Sequence, residues 1–319
     1  FILNSIFDKV FYLKTEDLFD ANSLENSRQS VKAFSEEINR ENISALINFT
    51  NSKSSGYLAS LIQAEHKLGL WYDEKGTLRI QDPWSQYVYS NVLETSLTPF
   101  SLVDLFKNTI GVKKKKNQSP KAIFNTELKT ITVHPFTSHE RKSWKLSKWS
   151  EVIYKILKDF PDKNVTIVGS KAEVEKSRKL IGQPSLANFK SRIHNKVGQT
   201  TLEDVYNLLK KSCLFVGHDS MVGHLAARAR TLTLTISLGT VRPIETSPYM
   251  ENTYVMVPRT KCFPCKPQDS CDYFQCHADI SYQATYAVIQ QLLLNGEVNQ
   301  NAIERENSAF HINATDIYR

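Results

Sequence analysis

The stretch Lys211–Gly239, KSCLFVGHDSMVGHLAARARTLTLTISLG, limits most strongly what this chain can fold into. The apolar run Cys213–Val216 ends at Gly217. Asp219-Ser220 then stands at the N-cap of an Ala-rich helix, and a second apolar run, Leu232–Leu238, closes at Gly239-Thr240. Strand, tight turn, helix and strand make a βαβ unit, whose turn sits at the strand's carboxyl end, where open α/β sheets bind ligands. Asp219 or Ser220 can accept from the first backbone N–H groups of the helix, and the remaining ones, with the helix dipole, suit a phosphate. His224 lies one turn in and can face the same ligand. A capped helix with a surface histidine, in an α/β domain without a phosphate site, produces the same pattern.

The residues Asp219-Ser220-x-x-x-His224-Leu225-Ala226-Ala227, with Gly239-Thr240-x-x-Pro243 and Pro248-Tyr249 after them, resemble the signature of the bacterial heptosyltransferases. These are inverting glycosyltransferases of GT-B architecture. The resemblance implies an α/β chain of two Rossmann-like, doubly wound domains facing a cleft, with the N-terminal one incomplete. It implies that Asp219, Ser220, Gly223 and His224 grip the diphosphate of a nucleotide-sugar donor. At Met221 the family usually has Gly, and a side chain there narrows backbone approach. Thr137, Ser138, Lys142 and Trp144 match the family's hydroxyl-bearing loop and Lys-x-Trp, with His134-Pro135 where Pro-Gly is usual. By that analogy Lys142 and the hydroxyls hold donor phosphates, and a lysine ammonium offsets charge growing on the leaving diphosphate. Glu173 matches an acidic residue near the donor ribose, and Thr200 belongs to a Thr-rich turn before a helix capped by Thr201. Lys142 and His224 are the expected leaving-group stabilisers.

At 319 residues the chain suits two domains, and 41% apolar with 23% charged residues describes a globular protein. No apolar run reaches a membrane span and no signal peptide opens the sequence. A net charge of +7 permits nucleic acid, an anionic membrane surface or a phosphorylated substrate. The chain starts at Phe1 rather than Met, as a fragment or processed chain would.

In order, Val10–Leu13 reads as a strand, Leu24–Arg40 as an amphipathic helix, and Ile43–Phe49 as a buried strand. The polar loop Thr50–Gly56 follows, then a helix from Tyr57 to about Glu65. This loop reads as a plain βα turn or as a ligand edge. The resemblance favours the latter and implies acceptor-side roles for Asn51, Ser52 and Ser54. Lys67–Leu70 and Leu78–Ile80 continue the sheet, Pro83–Val103 carries no clear pattern, and Ser101–Ile110 reads as a helix. The block Lys113–Lys116 with Pro120 reads as a linker. These features divide the chain into an acceptor-side domain 1–117, a donor-binding domain 118–296 and a polar tail 297–319. Thr130–Val133, Ser147–Asp159, Asn164–Val168, Leu202–Lys211 and Ser281–Leu294 supply the second domain's other strands and helices. The tail is expected to fray or lie on the surface.

Cys262, Cys265, Cys271 and Cys276 fall within 15 residues of sequence. They suit a structural zinc or iron site, two disulfides in an oxidising compartment, or reduced thiols in a surface loop. Comparable Cys-x-Pro-Cys segments occur in the resembling family, whose transfer reaction uses no metal. Cys213 reads as core.

The resemblance implies transfer of a heptose, from ADP-heptose, to a hydroxyl acceptor such as lipopolysaccharide core or a protein, in the cytoplasm or at the membrane's inner face. Inversion needs a base on the face opposite the leaving group. In the family this is the Asp of a Gly-Asp motif, and no Gly-Asp pair occurs in this sequence. The chain is therefore expected to bind a donor better than it turns one over. A non-catalytic nucleotide-sugar-binding protein is the alternative. A nucleic-acid-binding protein is a third reading, disfavoured because the lysines are scattered and not interleaved with aromatics.

Overall fold

A computed structural model describes residues 7–14, 23–94, 98–112, 120–266 and 268–299, and the backbone of 310–314. The chain divides into two compact units, Phe1–Lys116 and Asn117–Arg319. The lysine block Lys113–Lys116, the predicted linker, lies outside the described residues.

The N-terminal unit runs α1 (Leu24–Asn39), β1 (Ala45–Asn48), α2 (Lys53–Leu61), β2 (His66–Gly69), β3 (Trp71–Tyr72), β4 (Leu78–Arg79), α3 (Pro83–Glu94) and α4 (Leu102–Thr109). β1 and β2 pair in parallel, β3 and β4 antiparallel. Val10–Leu13, predicted as a strand, has no regular structure. Nor does the second helix wait for Tyr57. Ser52 accepts from the Ser55 N–H and starts α2 four residues earlier, so Ser54 and Gly56 are helical. Pro83–Glu94, unassigned from sequence, is a helix whose first turn is closed by Asp82 Oδ1 accepting from the Ser85 N–H at 2.7 Å.

The C-terminal unit runs β5 (Thr130–His134), α5 (Leu146–Asp159), β6 (Asn164–Ile167), α6 (Val174–Ile181), β7 (Ile193–Asn195), α7 (Leu202–Lys210), β8 (Ser212–His218), α8 (Met221–Arg228), β9 (Thr233–Ile236), α9 (Pro243–Thr246), β10 (Thr253–Pro258), α10 (Gln275–Asp279), α11 (Tyr282–Asn295) and β11 (Phe310–Ala314). Short 3₁₀ turns, Glu140–Lys142 and Lys171–Glu173, follow β5 and β6. The strand order is β11-β10-β9-β8-β5-β6-β7. All neighbours are parallel except β11, which runs antiparallel to β10. That edge strand places part of the expected frayed tail in the sheet.

Every residue of β8 is buried, as a central strand covered on both faces requires. In α5 the buried set Trp149, Val152, Ile153, Ile156 and Leu157 follows the i, i+3, i+4 spacing of one helix face. From β5 the chain builds outward through β6 and β7, then returns to lay β8, β9 and β10 on the other side. The strand order therefore reverses between β5 and β8, and a crevice opens beyond their carboxyl ends. No helix among the described residues is long and apolar enough to cross a membrane.

Candidate functional site

The crevice is set by strand register. His134, the last residue of β5, is level with Gly217 of β8. Gly217 is required there, because a Cβ would come 2.9 Å from the His134 carbonyl oxygen and still closer to the Phe215 ring. The turns leaving the two strands, His134–Trp144 and His218–Met221, consequently face each other.

His218 fastens them. Its Nδ1–H donates to the Ile236 carbonyl at 3.1 Å and its Nε2 accepts from the Trp144 N–H at 3.1 Å, so both partners select one neutral tautomer. The ring is buried, stands edge-on to Trp149, and burial pushes its pKa down to about 3. Trp144 is buried too, and its indole N–H donates to the Ile280 carbonyl at 3.0 Å. The 3₁₀ turn bearing Lys142 is gripped from the opposite side. His277 Nε2 donates to the Arg141 carbonyl at 2.9 Å, and Gly239, at φ +62°, approaches that carbonyl so closely that a Cβ would sit 2.5 Å from it. Sequence reasoning assigned no role to His218 or His277, whose partners lie 74 and 136 residues away.

At the β8 turn, Asp219 is half-buried. Desolvation raises its carboxyl pKa, while the Thr246 hydroxyl donating to it and the nearby positive charges of His224 and Lys142 pull it down. Two of the predicted donor residues, Lys142 and His224, are thus each within electrostatic reach of a third, Asp219. Ser220 occupies the N-cap of α8 but does not cap it. Its extended backbone, φ −160° and ψ 170°, turns the hydroxyl toward His134 Nδ1 at 3.1 Å, and Asp219 is occupied with Thr246. The expected side-chain cap is therefore absent, and the helix's first-turn N–H groups are left to other partners.

The remaining predicted residues divide. Glu173 Oε2 accepts from the Ser170 N–H at 2.6 Å and lies 3.9 Å from His134 Nε2, so it joins the cluster. The Thr137 hydroxyl donates to the His139 carbonyl at 2.8 Å and also meets Ser143 Oγ, closing the loop on itself, whereas Ser138 is exposed. Gly223 is buried, and the side it leaves bare faces Pro248 and Thr235. Thr200 lines a separate cavity of about 390 Å³ with Gln199, Asp204 and Asn207. In the N-terminal unit, Ser52 caps α2 and meets Ser54 Oγ at 3.2 Å, beside Asn51.

Among the described residues no three His, Cys, Asp or Glu are arranged to hold an ion. Cys262 is exposed and Cys271 half-exposed, while Cys265 and Cys276 are buried against the Gly239 backbone, each within electrostatic reach of the other three thiols. All four are free thiols.

Comparison with known proteins agrees with this architecture. A sequence model of glycosyltransferase family 9 (heptosyltransferase) matches residues 31–273. Among solved structures, the family 9 glycosyl transferase of Veillonella parvula superposes with a TM-score of 0.62 at 14% identity, over 86% of this chain and 80% of that one. E. coli heptosyltransferase WaaC with ADP gives 0.60 at 16%, over 89% and 83%. E. coli ADP-heptose lps heptosyltransferase II gives 0.53 at 15%, over 85% and 83%. No curated protein sequence matches significantly. Fold and crevice define a glycosyltransferase of the GT-B class. The chain belongs to glycosyltransferase family 9, the heptosyltransferases.

Proposed function

We propose that the crevice at the carboxyl ends of β5 and β8 binds the diphosphate of ADP-heptose, and that the chain transfers the heptose with inversion to a hydroxyl of a glycan acceptor such as lipopolysaccharide core. The observation that carries this reading is that Lys142 and His224 each lie within electrostatic reach of Asp219, at the point where the strand order reverses. In the transfer, the acceptor oxygen bonds to the anomeric carbon from the face opposite ADP and gives up its proton to a base on that face. The bond from that carbon to the phosphate oxygen breaks with its electron pair on ADP. Lys142 then faces the growing negative charge, together with the uncapped N-terminus of α8. Glu173 would take the ribose side, and Asn51, Ser52 and Ser54 the acceptor side. Peripheral contact with an anionic membrane on the cytoplasmic side fits the net charge of +7. WaaC with ADP and heptosyltransferase II, which share the fold, support an adenine nucleotide donor. Met221 and His134-Pro135, where the family usually has Gly and Pro-Gly, favour a second reading, a nucleotide-sugar-binding protein that does not turn over.

Thermal stabilisation by ADP, ADP-heptose, UDP and GDP tests the site, with Lys142→Ala and Asp219→Ala alongside. A ligand at 100 times its Kd adds about 2.7 kcal/mol. Stabilisation by adenine nucleotides alone, lost in both variants, is the expected result, and no shift with any nucleotide refutes the assignment. ADP release that depends on acceptor separates the enzyme from the binding protein.

A further inference from the structure

His134 stands between two residues of the donor site and is used by neither the fold nor the mechanism so far. Only 7% of its surface is exposed. On one side Nδ1 meets Ser220 Oγ at 3.1 Å, and on the other Nε2 lies 3.9 Å from Glu173 Oε2. The Phe136 ring stands edge-on to it at 6.0 Å. Two titratable groups face the ring: Glu173, from the turn after β6, and His218 of β8, itself neutral. Gly169 makes room for the carboxylate, because a Cβ there would come within 2.8 Å of Glu173 Oε2.

The proton positions follow from the charges. The Glu173 carboxylate attracts an N–H dipole, so neutral His134 carries its proton on Nε2. Its Nδ1 is then a lone pair that accepts the Ser220 hydroxyl. In that state the Ser220 proton points into the imidazole and away from a ligand. Burial pushes the pKa of His134 down to about 4, against the pull of Glu173, so the free protein holds this neutral state at pH 7. A phosphate arriving beside Ser220 adds negative charge on the second side of the ring and favours the imidazolium. The incoming proton comes from solvent to Nδ1, which now donates to Ser220 Oγ. The Ser220 hydroxyl is thereby freed to donate to a phosphate oxygen, and no covalent bond changes.

We propose that His134 is a positioning residue that takes up a proton when the donor diphosphate binds, switching Ser220 from an imidazole-bound hydroxyl to a phosphate donor. The inference rests on the donor-site reading above, and the test separates the two. ADP binding is measured by calorimetry in buffers of different ionisation enthalpy, from pH 6 to 8, for the wild type, His134→Asn and Glu173→Gln. Protonation of ADP itself is common to all three and cancels in the comparison. The wild type is expected to take up on the order of one proton per ADP more than His134→Asn at pH 6, fading by pH 8 as the ordinary histidine range is passed. Glu173→Gln moves that excess to lower pH. Should either variant fold poorly, nitrogen-15 NMR of wild-type histidines reads the same states: Nε2–H in the free protein, both nitrogens protonated with ADP at pH 6. Equal proton counts in the wild type and His134→Asn, or an Nδ1–H tautomer in the free protein, overturn the relay while leaving the donor site standing. No ADP heat in the wild type overturns both.

Discussion

Replacing His218 by Gln gives the sharpest test of how the site is held. At pH 7 the variant's amide cannot span both partners as the ring does, so either the buried Trp144 N–H loses its acceptor or the Ile236 carbonyl its donor. The expected loss is about 1–3 kcal/mol. Acid should then narrow the gap. His218 has a pKa of about 3 when folded, against about 6.5 when unfolded, so between those values the unfolded chain binds a proton that the folded chain refuses. Wild-type stability therefore falls as pH drops through that window, by about 1.4 kcal/mol per unit once well below 6.5, or about 2 kcal/mol from pH 7 to pH 5. The variant lacks this loss, while His134, also depressed, contributes equally to both proteins and cancels. Urea unfolding at pH 7 and pH 5 reads the difference. Trp144 and Trp149 are the indoles of the C-terminal unit, so Phe at Trp71 and Trp84 leaves fluorescence that reports that unit alone. A gap between wild type and variant that stays constant or widens on acidification would refute the assignment of His218 as a buried neutral clamp.

Two other expectations concern the clamp's far side. Gly239→Ala forces a side chain onto a φ of +62° and into the Arg141 carbonyl, so the protein should lose at least about 1 kcal/mol of stability; because that carbonyl precedes Lys142, ADP affinity should fall as well, measured by calorimetry. A disulfide-exchange reagent at pH 7 should label the exposed Cys262 first and Cys213 slowest, since burial pushes the Cys213 thiol up to about 11 and also raises Cys265 and Cys276; peptide mapping over time checks the order.

What the sequence revealed was local. The unit β8–α8–β9 was legible because an unbroken apolar run, a Gly-x-Asp-Ser turn and an Ala-rich stretch each have one structural meaning, and those meanings agree. The helix Pro83–Glu94 went unread because Trp84, Tyr87 and Tyr89 favour strands. Its start signal, Asp82 before Pro83 at the first helical position, was present nonetheless. The early start of α2 was likewise signalled by Ser52 three residues before Ser55. The cap expected from Ser220 failed for another reason: His134, 86 residues upstream, competes for its hydroxyl. His218 and His277 were out of reach on the same ground. A histidine's role depends on which carbonyl or amide the fold brings to it, and neither periodicity nor spacing encodes that. The four cysteines show the limit from the other side, since their spacing suits a metal and the fold gathers them, yet among the described residues no three ligands are set to hold an ion.

The indole of Trp144 hydrogen-bonds a carbonyl 136 residues later, and the turn carrying Lys142 is held by a histidine equally remote. On a ribosome adding about 5–20 residues per second, roughly 7–30 s separate the emergence of Lys142 from that of Ile280. For that interval the nascent chain carries Lys142 without the groups that fix its turn. Nucleotide cannot therefore template the early folding of this unit. On the donor-site reading, a chain stalled or truncated before α11 would present β5, β6 and β8 without a competent site.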